Sequence, residues 1–322
     1  MPAARPQLRI VPAKRPATTE FKLTVKEYLL ARRQECTQST IEKYGHRLEQ
    51  LTTWLAERGA TRWEDISRLL LREWAASLDP DWSPATHRHA ITVVRGFLNW
   101  YRDEGLVDEQ LATALRPPKI KVRIQRTLSE DEIWKLLDAC DNSAFGLRDA
   151  AIVLLMIDTG LRASELCRLQ WDDLTFDFPF GDDRLNFALV VGKGGNREPV
   201  FFGEETNSRL RAWFRVRIAR PGIHTVFVSL GGNTPLEPLT RHGLGHLLRE
   251  LGKRARVPDV SPHSLRRTFA TMLDEAGATT RQIQALGRWS DIKMVEHYTR
   301  AMKPGLHFGK FSPGNRFKKR PR

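Results

Sequence analysis

Arg162 lies in the segment Thr159-Gly160-Leu161-Arg162-Ala163-Ser164-Glu165-Leu166, where a glycine separates two helical patterns. An arginine where one helix ends and another begins sits beside free backbone N–H groups, and together they suit an oxyanion. Glu165, three residues on, falls on the same helix face and is placed to hold that arginine by a salt bridge. A surface arginine is the ordinary alternative in a chain of this composition. His263 and Arg266 stand at i and i+3, just after Ser261-Pro262, which reads as a helix start. Both are therefore expected in the first turn, where the helix dipole favours anions. Alone, His263 reads as a core or capping histidine; beside Arg266 the anion-binding reading is the stronger. Lys193 stands at the tip of Gly192-Lys193-Gly194-Gly195-Asn196. Glycines let such a turn reach a ligand, and the lysine supplies a movable cation that can give up a proton; a solvated turn lysine is the alternative. Tyr298 is one of four tyrosines. Its hydroxyl is a poor nucleophile at an unperturbed pKa of about 10. Nearby cations would favour the phenolate and neutralise a phosphate. Taken singly, Tyr298 reads as a half-buried structural residue.

The elements that carry these groups fall into two blocks. Helical periodicity begins near Leu23, with Val25, Tyr28, Leu29 and Arg32 on one face. Ser39-Thr40-Ile41-Glu42 reads as a capping box opening a helix that Gly59 closes. A third helix is expected from Ile66 to Leu78, and a fourth from Ser83-Pro84 to Gly105, with Ile91, Val94, Phe97, Leu98 and Tyr101 on its face. The segment from Arg116 to Arg126 holds two prolines and five basic residues with no acid, which reads as a linker lying against phosphates. A second capping box, Ser129-Glu130-Asp131-Glu132, opens the next block. A buried helix runs from Leu147 to Thr159 and ends at Gly160, and a short one holds Glu165, Leu166 and Leu169. The period then changes to two over Leu174 to Phe178, Leu185 to Val191 and Glu198 to Phe202, which predicts a small antiparallel sheet. The turn bearing Lys193 joins the last two of these strands. Helices resume near Glu205, Thr240, Ser261 and Thr279. The expected fold class is mainly α with a small antiparallel β-sheet, in two domains. The boundaries are a disordered basic arm over 1–19, a helical domain over 20–110, a basic linker over 111–127, a second domain over 128–302, and a basic tail over 303–322.

Composition narrows the partner. The chain has 322 residues, and 52 Lys and Arg against 38 Asp and Glu give a formal net charge of +14. A surplus of that size attracts polyanions, and the phosphate backbone makes nucleic acid the leading one. The longest apolar run, Ala150 to Ile157, is far short of the ~18 residues a membrane span needs, so no membrane is expected. The N-terminus lacks the apolar stretch of a secretory signal, and three cysteines (Cys36, Cys140 and Cys167) have neither metal-ligand spacing nor an even count. The expected location is cytoplasmic. No activating base marks Cys167 as a nucleophile.

The combination is more specific than its parts. The order Arg162, Lys193, His263-x-x-Arg266, Tyr298 closely resembles the tyrosine recombinase, or phage integrase, family. The resemblance is of the Xer-like or phage integrase-like kind and covers about residues 20–300. Its motifs are TGLRASEL at 159–166, GKGGNRE at 192–198, SPHSLRRTFAT at 261–271 and LGRWSDIKMVEHYT at 286–299. It implies that residues 20–110 form a core-binding, SAM-like DNA-binding domain and that residues 128–302 form the catalytic domain. It implies that Arg162 and Arg266 grip the scissile phosphate, that Tyr298 forms a 3′-phosphotyrosine, and that Lys193 protonates the leaving 5′-oxygen. His263 assists proton transfer at the tyrosine or hydrogen-bonds the phosphate, and Glu165 orients the arginine or histidine. No cofactor and no metal are implied; two arginines and a lysine do the charge work. The implied partners are double-stranded DNA recombination sites and further copies of the chain, in a tetramer on two duplexes. One position departs from the family's commonest pattern, which has a second histidine nine residues before the tyrosine. Counting back nine from Tyr298 gives Trp289; counting on from Leu286-Gly287 gives Arg288. Trp289, whose indole N–H can donate to a phosphate oxygen, is the preferred occupant, with Arg288 a phosphate contact nearby.

Overall fold

In a computed structural model of the chain, the described residues are 17–106, 110–120, 126–192, 195–232 and 235–299, with side chains from 20 to 296. Residues 1–16 of the expected arm, the central stretch of the basic linker, Lys193 and the C-terminal tail lie outside them; residues 17–19, expected in the arm, are instead the first turn of a helix that begins before Leu23. The chain divides into two compact units, residues 1–122 and 123–322.

The first unit is helical: α1 (Ala17–Arg32), α2 (Gln38–Glu57), α3 (Arg68–Ala76) and α4 (Pro84–Asp103), with single 3₁₀ turns at Trp63–Asp65 and Leu111–Ala114. Leu48, Leu51 and Leu55 recur at helical spacing on α2 and are fully buried with Trp63, Val94 and Phe97. Phe21 and Phe97 flank the Trp63 ring at 4.5 and 4.8 Å, so three aromatics carry much of this small core. The helix α2 starts two residues before the expected box. Thr37 is its N-cap residue, its carbonyl accepting from Thr40 and Ile41, so Ser39 already lies inside the helix. That start puts Ile41 in the buried row with Leu48, and burial outweighs a chance four-residue capping pattern. Similarly α3 starts at Ser67, whose hydroxyl accepts from the Leu70 N–H, because the 3₁₀ turn takes up the residues before it.

The second unit comprises α5 (Glu130–Asp138), α6 (Ala144–Thr159), α7 (Ala163–Arg168), β1 (Leu174–Phe180), β2 (Asp183–Val191), β3 (Arg197–Phe202), α8 (Glu204–Val216), α9 (Arg241–Arg254), α10 (Pro262–Glu275), α11 (Thr280–Gly287) and α12 (Ile292–Thr299). Ser129 and Glu132 form the expected reciprocal cap on α5. Nearly every residue of α6 from Ala150 to Ile157 is buried, which explains its unbroken apolar run: this stretch of the helix has no solvent face. The strands make one antiparallel sheet in the order β1-β2-β3. Ala188, Val190, Val200 and Phe202 alternate inward toward the core. The fold is thus mainly α with a small antiparallel sheet, as the periodicities indicate. A smaller cluster of Phe269, Ala270, Ile283, Trp289 and Val295 lies under α10, α11 and α12 and underpins the site. Among the described residues no helix is long and apolar enough to cross a membrane.

Candidate active site

The site forms where helices end. Gly160 closes α6 in the left-handed region (φ 58°), and any side chain there would collide with Phe269. The chain then turns straight into α7, whose N-cap is Arg162. Glu165, one turn on, reaches back: one carboxylate oxygen accepts the Arg162 backbone N–H at 2.7 Å, and the other accepts from its guanidinium at 2.7 Å. The Glu165 side chain is only 5% exposed, while that of Arg162 is 41% exposed, so the buried carboxylate holds an arginine that still opens outward. Burial alone would raise the pKa of Glu165. The Arg162 backbone N–H and the charges of Arg288 and Arg162 outweigh it and hold the carboxyl below its ordinary value.

Arg266 projects from α10 into the junction of two other helices. It donates to the carbonyl of Gly160, at the end of α6, and to that of Gly287, at the end of α11. These are the negative ends of two helix dipoles, and they explain how a guanidinium only 4% exposed is accommodated. The Trp289 ring completes the setting, 4.4 Å from the Arg266 guanidinium carbon and 6.1 Å from Phe269. Gly287 is required here, since a Cβ on it would overlap the Trp289 ring.

His263 is the second residue of α10, in its first turn behind Ser261, whose hydroxyl accepts from the Ser264 N–H. It is exposed, yet such desolvation as it has, together with Arg267 and Arg266, holds its pKa below the usual histidine value. Near neutral pH it is therefore an uncharged donor and acceptor. Arg266, by contrast, is the fifth residue, a turn in from the helix end rather than within the first turn. Its partners are carbonyls of other helices, so the α10 dipole is not what positions it.

An open cleft of about 780 Å³ gathers Arg162, Arg288, Trp289, Arg281 and Glu198. Both occupants weighed for the second-histidine position thus lie there: Trp289 buried against Arg266, and Arg288 with its guanidinium 3.0 Å from Glu165. Lys193 lies outside the described residues, but the base of its hairpin is defined, with Gly192 N–H donating to the Asn196 carbonyl at 2.8 Å and Gly192 lining the same cleft. Tyr298 is in the last turn of α12 and its side chain lies outside what is described. Sequence reasoning did not anticipate the Gly160 and Gly287 carbonyls as anchors for Arg266; the glycines at two helix ends were the available signal. Neither Cys167 nor Cys140 offers a rival nucleophile: burial pushes Cys167 up to about 11 and Cys140 up to about 12. Chemically, the cleft presents guanidinium groups around one buried carboxylate, an arrangement that favours a phosphate anion.

Residues 126–304 match the phage integrase family and residues 25–105 match the phage integrase N-terminal SAM-like domain. Tyrosine recombinase XerD of Ralstonia nicotianae is 32% identical over 280 residues, covering 83% of this chain and 85% of that protein. Tyrosine recombinase XerC of Pseudomonas putida is 29% identical over 273 residues, covering 84% of this chain and 88% of that protein. In fold, the chain is similar to the XerH site-specific recombinase bound to its palindromic difH substrate (TM-score 0.69, 18% identity, 91% of this chain and 84% of that one). It is also similar to a lambda integrase dimer bound to a COC′ core site (TM-score 0.66, 18% identity, 88% and 78%). The chain belongs to the phage integrase family, the tyrosine recombinases.

Proposed function

We propose that this tyrosine recombinase cuts and rejoins double-stranded DNA at recombination sites, with Arg162, Arg266, Trp289, His263, Lys193 and Tyr298 as the groups that meet the scissile phosphate. The observation that carries this reading is that Arg162 and Trp289 line one cleft and Arg266 packs directly against the Trp289 ring, with Glu165 fixing Arg162 and the carbonyls of Gly160 and Gly287 fixing Arg266. Preorganised donors of this kind stabilise charge that develops in a transition state without reorganising as it forms.

In the proposed reaction the Tyr298 oxygen attacks phosphorus as the bond to the 5′-oxygen breaks. Arg162 and Arg266 take up the charge on the nonbridging oxygens, and the Trp289 indole N–H donates to one of them. The leaving 5′-oxygen receives a proton from Lys193, and the tyrosine proton passes to neutral His263 or to water. The products are a 3′-phosphotyrosine and a free 5′-hydroxyl. The phosphotyrosine retains the bond energy, so attack by a 5′-hydroxyl rejoins DNA by the same steps reversed. Glu165 acts by orienting Arg162. The helical unit and the catalytic unit both bind the duplex, and four copies act on two duplexes. In this reading residues 20–110 are the DNA-binding clamp, 111–127 the basic linker, 128–302 the catalytic unit and 303–322 a basic tail, which either docks on a neighbouring copy or only adds charge.

The chemistry alone would also suit a topoisomerase that relaxes DNA at any position. A supercoiled plasmid with two directly repeated sites, taken from DNA flanking the gene, separates the two. Recombination gives two smaller circles and leaves a site-free plasmid supercoiled. Relaxation of the site-free plasmid would replace the recombinase reading with a topoisomerase.

A further inference from the structure

Arg288 is the residue that the count to Tyr298 leaves over when Trp289 takes the second-histidine position. Its backbone is left-handed (φ 53°, ψ 47°) as it caps α11, a conformation unfavourable for a residue with a Cβ. Its side chain is 7% exposed, and Nη2 binds Glu165 at 3.0 Å. Nε and Nη1 are both buried and have no hydrogen-bond partner among the described residues. Two unsatisfied N–H donors on a buried cation are unfavourable unless an acceptor arrives. The residue lines the cleft while these two nitrogens face inward, so a turn of the side chain toward the cleft brings them to an acceptor from outside the protein.

Arg162 and Arg288 bind the two oxygens of the same carboxylate, and Arg162 also donates to the Arg288 carbonyl at 3.4 Å. Whatever anion Arg162 grips is therefore within reach of Arg288. We infer that Arg288 is a third arginine on the scissile phosphate, a catalytic residue that donates from Nε or Nη1 to a nonbridging oxygen. The inference rests on the proposed role of Arg162. It gives Glu165 a second task, because one carboxylate sets the spacing of two guanidinium groups.

The test compares Arg288→Gln and Arg288→Met with wild type on a nicked recombination site in two forms. One carries the natural scissile phosphodiester; the other carries a methylphosphonate there, as each diastereomer, so that one nonbridging oxygen and the negative charge are gone. Strand cleavage is read in single turnover. A direct phosphate contact predicts that the variants lose about a hundred-fold on the phosphodiester, and about ten-fold or less on the diastereomer lacking the contacted oxygen. The ratio of rates on the two substrates uses one protein preparation, so partial unfolding lowers both alike and cancels. If that ratio matches wild type in both variants, Arg288 only supports Glu165 and the inference is wrong. Failure of wild type itself to cleave the phosphodiester would instead overturn the reading of the whole site.

Discussion

At the scale of single residues, two arginines with the same proposed role differ in how they are held. Arg162 is partly exposed and rests on Glu165, whereas Arg266 is buried and satisfies two helix-terminal carbonyls. Arg162→Ala and Arg266→Ala should each slow cleavage by about 10²–10³-fold while leaving DNA binding near normal, as for loss of one transition-state contact. Only Arg266→Ala should also lower unfolding free energy, by about 1–3 kcal/mol, because two carbonyls lose their donor. Single-turnover cleavage, gel shift and urea melts check the three readouts; equal losses in binding and cleavage would make both arginines ordinary phosphate anchors. The residue types and order of the site were legible because arginine, histidine and glycine stand at helix boundaries that the sequence marks clearly. The burial of Arg266 was not legible. It depends on α6 and α11 ending side by side, which no local pattern reveals.

Among the elements, Glu165 joins the start of α7 to the end of α11 through Arg162 and Arg288. Its folded pKa lies below the unfolded one, so its ionised form contributes stability above the ordinary glutamate range. That contribution is lost as pH falls through the depressed folded value. Glu165→Gln should therefore cost about 3 kcal/mol near neutral pH, since it leaves the Arg288 cation buried without its anion. The difference from wild type should narrow as denaturation is repeated at falling pH. A difference constant across pH would mean that packing, not charge, is lost. The long apolar helices and the three strands were readable from their periods. The start of α2 was not, since Thr37 and Ser39 are both good caps and only burial of Ile41 chooses between them. Nor was the end of α11: Leu286-Gly287 suggests a helix stop, but the left-handed conformation falls on Arg288, where Trp289 packs back beneath Gly287.

For the whole molecule, a change of period from 3.6 to 2 and back located the small sheet within a helical chain, and the charge of +14 pointed to a polyanion. Assembly is encoded less openly. The tail carries Phe308, Phe311 and Phe317 among seven Lys or Arg, a composition that fits apolar anchoring on a neighbour but equally a merely cationic extension. With docking, ending the chain after Lys303 leaves single-site binding nearly intact and abolishes the two-duplex complex. Uniform weakening of all binding, with a flatter salt dependence, would reduce the tail to added charge. A gel-shift series across salt, read for both bands, gives the answer.

The central claim is that the Tyr298 oxygen is the nucleophile, and one measurement addresses it directly. Wild type and Tyr298→Phe are mixed with a nicked recombination site, and the products are separated in SDS. The change removes one oxygen, so the variant should bind the site with near-normal affinity and form no covalent protein–DNA complex, whereas wild type accumulates one. A covalent complex that persists in Tyr298→Phe would contradict the account.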